Sequence, residues 1–138
     1  MEVLFIINTL CTFSLTGLIY FVQHVHYPLM SAVGDKNFDQ YHVLHLRKTT
    51  HVVLPLMVTE LITSFLLISY SPLLTLNFFL CLLIWGSTFL IQVPQHQRLS
   101  EAVRTKHIEN LVRSNWLRTI LWTVRSLTLL FILLEVSQ

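Results

Sequence analysis

The chain has 138 residues, of which 54% are hydrophobic and only 12% charged, and its formal net charge is +2. A soluble domain carries about a quarter charged residues, so this deficit argues against a water-exposed globule and points to lipid. A nucleic-acid partner is also disfavoured, because the basic residues border apolar segments and lack aromatic interleaving.

Four segments with little or no interior charge, roughly 3–22, 52–70, 73–93 and 116–134, approach the ~20 residues that a helix needs to cross the hydrocarbon layer. They lack the alternation of strands, and only helices or closed barrels satisfy their own backbone in lipid. The first helix is expected over about 3–24. It opens with Glu2 rather than a basic stretch and meets no small-residue cleavage site, so it reads as a membrane helix and not a cleaved leader. Asp35 or Asn37 can cap the second helix, expected over about 38–70, where Pro55 removes the bond to the His51 carbonyl and predicts a kink. The third is expected over about 73–105, running past Pro94 into the polar stretch that follows, and the fourth over about 112–134. No internal repeat or flexible linker is visible. The expected fold is a single-domain all-α membrane protein: a four-transmembrane-helix bundle with helices 2 and 3 extended on the cytoplasmic side. Cys11 and Cys81, at similar depth, read as small hydrophobic residues.

All nine basic residues lie on one side or enter the apolar segments from it, Arg118 and Arg125 in the start of helix 4, whereas the 2–3 connection, SYSPLLTLN, has none. The positive-inside rule then places both termini outside and these two connections in the cytoplasm, where Lys and Arg meet anionic lipid headgroups.

The seven histidines also gather on that side. Histidine serves as acid, base, proton shuttle or metal ligand. On helix 2, His42, His45, Thr49, Leu56, Glu60 and Thr63 share a face, and on helix 4 Asn115, Arg118, Trp122 and Arg125 step by 3, 4 and 3. A charge facing lipid near the bilayer centre costs at least ~2.5–3.5 kcal/mol, so both faces are expected to point inward. Glu60 lies ~13 Å past His51 and Arg125 ~10 Å past Arg118 at about 1.5 Å per residue, so the two are expected to pair. Gln23 and His24 on helix 1, with Gln92 and His96 on helix 3, complete an expected pocket containing His24, His51, His96, Gln92, Trp116 and Arg118, with His26 in its wall and His42 or His45 as a lid.

Two ligand classes suit that pocket. Arg118, Arg125, Trp116 and Trp122 suit a planar or anionic hydrophobic molecule, held by guanidinium forks and indole faces, with His24, His51 or His96 as proton acceptor. Alternatively, the histidines bind a transition metal such as copper, zinc or iron, with His42 and His45 as weaker ligands, or a haem between His24 and His96.

The succession HYPLM, YHxxHxRKTTxVVxPxMxxELxTS, QVPQHQRL and NWLRTxLWTxRS resembles a family of small bacterial four-helix membrane proteins, and is distantly similar to the anthrone-oxygenase-like membrane proteins. The resemblance implies a bacterial inner-membrane enzyme that oxidises a hydrophobic, phenolic substrate with O₂. His26, Pro28, Pro94, His96, Trp116, Arg118, Trp122 and Arg125 are the matching positions. The leading expectation is therefore a membrane oxidoreductase acting on a phenolic or quinone-like molecule. The alternatives are a haem- or metal-binding electron-transfer subunit and a small proton-coupled transporter using Glu60 and Arg125; assembly as a homodimer fits any of them.

Overall fold

The structure, a computed structural model, describes residues 1–100 and 104–136. Four helices dominate it: α1 (Glu2–Met30), α2 (Asp35–Leu67), α3 (Pro72–Gln97) and α4 (Arg104–Val136), all long and apolar enough to cross a membrane. Short connections force antiparallel neighbours. Gly34, with extended backbone (φ −61°, ψ 145°), starts α2, so neither Asp35 nor Asn37 acts as its cap. Ser71 caps α3 by accepting from the Leu74 N–H at 3.2 Å, with Pro72 in the first turn. The helices pack in a ring, α1 on α2, α2 on α3, α3 on α4 and α4 on α1.

The lower end, where α1 meets α2 and α3 meets α4, differs from expectation. The third helix does not run to 105; it closes at Gln97, and a single 3₁₀ turn, Arg98–Ser100, follows. Residues 101–103 lie outside the described residues, and α4 starts at Arg104, earlier than expected. The physical reason is a small core: Leu99 is buried with Ile108 and Leu111 against Tyr27, Met30 and Phe38. Burying Leu99 together with Ile108 requires the chain to reverse between them. The signal was present, because Ile108, Leu111, Asn115, Arg118, Trp122, Arg125 and Leu129 alternate steps of 3 and 4 and are all buried.

α1 and α3 share a device that the sequence does not display as a repeat. Each contains one five-residue π-helical turn, Val22–His26 and Thr88–Gln92, ending two residues before a proline. Pro28 and Pro94 have no N–H and crowd the carbonyl four residues back. The widened turn relieves this: the Tyr27 N–H bonds to the Val22 carbonyl and the Val93 N–H to the Thr88 carbonyl, five residues back in each case. Gln23 and Gln92, one in each turn, are buried.

α2 continues as helix through Pro55, but its packing is uneven. It packs closely on α3 over Pro72–Ser87 and not over the π turn below. Between His42 and Met57 no residue of α2 is fully buried, whereas Met57, Glu60, Thr63, Ser64 and Leu67 all are. That gap defines the site.

Candidate functional site

Two polar layers cross the bundle, each centred on an arginine of α4. In the upper layer Arg125 pairs with Glu60 at 2.5 Å, both fully buried, as the spacing predicted. Thr12 donates to the same carboxylate at 2.8 Å, and the Trp122 indole N–H lies 3.2 and 3.3 Å from its two oxygens. The remaining Arg125 donors reach Asn77 Oδ1 at 3.0 and 2.8 Å and Ser64 Oγ at 2.8 Å. Asn8 ties α1 to α2 by donating to Ser64, Thr63 and the Glu60 carbonyl at 2.8, 2.9 and 3.0 Å. Neither Glu60 nor Arg125 lines the cavity described below. This layer is charge-balanced and closed. Asn8, Thr12 and Asn77 were absent from the sequence-based site, although an isolated Asn inside an apolar segment is the signal that marks two of them.

The lower layer is open. A cavity of about 360 Å³ fills the space left where α2 diverges. Leu15, Ile19, Val53, Met57, Trp85 and Phe89 form its apolar walls, and Tyr27, His45, Gln92, His96 and Arg118 gather at one end. Leu46, Thr50 and Leu54 on α2, and Phe89 and Val93 on α3, are rim residues with exposed side chains, so the cavity opens sideways between these two helices. Trp122 is its floor, with the Arg118 guanidinium carbon 5.9 Å from the indole ring. The same indole donates to Glu60 behind it and separates the two layers.

Arg118 is 9% exposed. Its Nε and Nη2 donate to Asn115 Oδ1 at 3.1 and 2.7 Å, and Nη1 lies a long 3.4 Å from Thr88 Oγ1. Gln23 orients this acceptor: Asn115 Nδ2 donates to Gln23 Oε1 at 2.8 Å, and Gln23 Nε2 donates to the Val112 carbonyl at 3.1 Å. Among the described residues no carboxylate pairs with Arg118. Two more atoms of cavity-lining side chains, the acceptor Gln92 Oε1 and the donor Trp85 Nε1, are buried without a hydrogen-bond partner among the described residues. Gln92 Nε2, in contrast, donates to Ser114 Oγ at 3.1 Å.

The histidines sort differently from expectation. His24, His51 and His96 do not form a triad. His24 is exposed, stacked on Tyr20 (6.0 Å) and edge-on to Trp116 (5.5 Å), and Trp116 is itself 43% exposed rather than in the pocket. The π turn directs Gln23 inward and leaves its neighbour outside. His51 is exposed, with Nδ1 2.6 Å from the Arg47 carbonyl. Nine residues at about 100° each put it half a turn from Glu60, on the outer face of α2. The residues that do converge are His26, His42, His45 and His96, with Tyr27 and Tyr41. His26 Nε2 lies 2.8 Å from His45 Nδ1, His42 Nε2 3.4 Å from His96 Nδ1, and the Tyr27 hydroxyl 3.1 Å from His96 Nε2. The rings are packed against one another, with His42 and His96 stacked at 5.6 Å and His45 and His96 at 5.7 Å. Among the described residues no three His, Cys, Asp or Glu side chains are placed to hold a metal ion, and the imagined haem pair is not formed because His24 faces outward. Cys11 and Cys81 are buried and free.

Comparison of the chain with family models, curated proteins and solved structures finds no match.

Proposed function

We propose that this chain is an integral membrane protein that binds a lipophilic molecule with an acidic or carbonyl oxygen at one end, such as a phenol or quinone. The carrying observation is Arg118: a buried guanidinium with no carboxylate partner among the described residues, at the closed end of an apolar cavity that opens sideways. A guanidinium is worth most to an oxygen ligand where water is scarce. Gln92 Oε1 and Trp85 Nε1 offer such a ligand an acceptor and a donor. The apolar walls accept its ring or chain, which arrives through the bilayer between α2 and α3.

Membrane insertion is supported by the surface. From residue 49 to 97 the one charged side chain is Glu60, and from 114 to 134 the charged side chains are Arg118 and Arg125; all three are buried, while Ile62, Phe79, Leu90, Ile120 and Phe131 face outward. The bias of basic residues supports a cytoplasmic histidine end, with α2 and α4 reaching beyond the lipid there. The resemblance to small bacterial membrane proteins is the ground for proposing a bacterial inner membrane. As an oxidoreductase on a phenolic substrate, the protein holds the electron-rich phenolate at Arg118, with Tyr27, His45 and His96 at hand to take the proton.

The test is binding of a long-chain alkylphenol to the protein in nanodiscs, read by quenching of tryptophan fluorescence. Saturable binding is expected, and Arg118→Gln should weaken it about 10- to 100-fold, the value of a hydrogen bond to a charged group. Equal affinity in the variant would sink the proposal.

A further inference from the structure

Holding a head group at Arg118 does not require a cluster of imidazoles, yet four of them pack beside it. They join the cavity to the lower end of α2 in two chains. In the first, the buried Tyr27 hydroxyl lies 3.1 Å from His96 Nε2, and His96 Nδ1 lies 3.4 Å from Nε2 of His42. In the second, His45 Nδ1 lies 2.8 Å from His26 Nε2, and His26 ends the chain; the Tyr41 hydroxyl, 3.5 Å from that same nitrogen, is a side contact. The inner members, Tyr27, His45 and His96, line the cavity, and the outer ones, His26, Tyr41 and His42, do not. Beyond them α2 presents exposed Lys36, Asp39 and Gln40. Arg118 stands at the opposite, inner end of the first chain, close to the Tyr27 hydroxyl.

We propose that this tyrosine–histidine cluster is a proton path linking the head of the bound ligand to water at the cytoplasmic end of the bundle. The inference rests on the reading of the cavity as a phenol site. The O–H bond of the phenol breaks, and its proton passes to the Tyr27 oxygen as Tyr27 gives its own proton to His96 Nε2. His96 then releases the proton on Nδ1 to His42 Nε2, and the buried His42 passes one on toward the exposed end of α2 that carries Lys36, Asp39 and Gln40. The phenolate keeps the electron pair and stays against Arg118. An imidazole carries out such a relay because one ring nitrogen accepts while the other donates. Neutral phenol thus enters from lipid, and its anion is held while the proton leaves by another route.

The experiment mixes the protein in nanodiscs with an octyl-substituted 4-nitrophenol, whose phenolate absorbs visible light, in weakly buffered medium containing a pH indicator. Phenolate formation and proton release should rise together in the wild-type protein. His26→Gln/His42→Gln, which interrupts both chains away from the ligand, should slow both signals at least about tenfold, within the usual value of acid–base assistance, with affinity little changed. Tyr27→Phe, which keeps the ring packing, should slow them less, because His45 still faces the cavity. Unchanged rates in the double variant would overturn the proton path while leaving the binding site standing. Absence of phenol binding to the wild-type protein would overturn both.

Discussion

Arg118 and Arg125 sit seven residues apart on one face of α4, both nearly or wholly removed from water, and their surroundings are opposites. Arg125 meets a carboxylate and two side-chain acceptors, and does not line the cavity between α2 and α3. Arg118 meets an amide oxygen, the Tyr27 hydroxyl and a distant Thr88 hydroxyl beside 360 Å³ of open space, and no carboxylate among the described residues. The same residue type is a structural pin in one layer and, on the proposed reading, a recognition element in the other. What separates them is whether the protein itself supplies the counter-charge. Trp122 enforces the division, with its ring toward one layer and its N–H in the other.

The largest expected effect is on stability. Glu60→Gln leaves Arg125 buried without its counter-charge and should cost about 3–5 kcal/mol, measured by thermal or denaturant unfolding in mild detergent. Arg118→Met removes a charge that no side chain among the described residues balances, so its effect should be under about 1.5 kcal/mol, in the range of tolerated swaps. If the two variants destabilise equally, the contrast between the layers fails.

A second test sharpens the contrast from the ligand side. Val53→Phe places a ring in the cavity, where α2 is loosely packed. It should reduce alkylphenol affinity more than tenfold with a stability change under about 1 kcal/mol, because it fills space rather than overpacking a tight core. A large loss of stability would show that the space is not available to a ligand.

The smallest effects belong to the outward histidines. His24→Ala and His51→Ala should each change stability by no more than about 0.5 kcal/mol and leave phenol affinity unchanged in the fluorescence titration. A substantial change in affinity from either would return these side chains to the site.

Much of this was legible in one dimension. The charge deficit and four apolar segments announce four long helices. The 3–4 stepping of Asn115, Arg118, Trp122 and Arg125 announces an inward polar face, and depth counting pairs Glu60 with Arg125. Gln92, His96 and Arg118, which line the cavity, and Gln23 behind them also lie on faces or motifs that periodicity picks out. The same rule, applied further upstream, would have exposed the early start of α4 at Ile108 and Leu111 and kept His51 out of the pocket. His24 is a different case, since regular helical stepping puts it with Tyr20, and the π turn before Pro28 changes what faces inward.

The sequence by itself determined the helices, their apolar surfaces and the inward placement of the charged residues, because these follow from backbone periodicity and the cost of exposing charge to an apolar surrounding. Only the tertiary structure decided which arginine is answered and which is not. That depends on where α2 departs from α3 and on how two π turns rotate Gln23 and Gln92 inward, and both are set by packing between helices rather than by spacing along one.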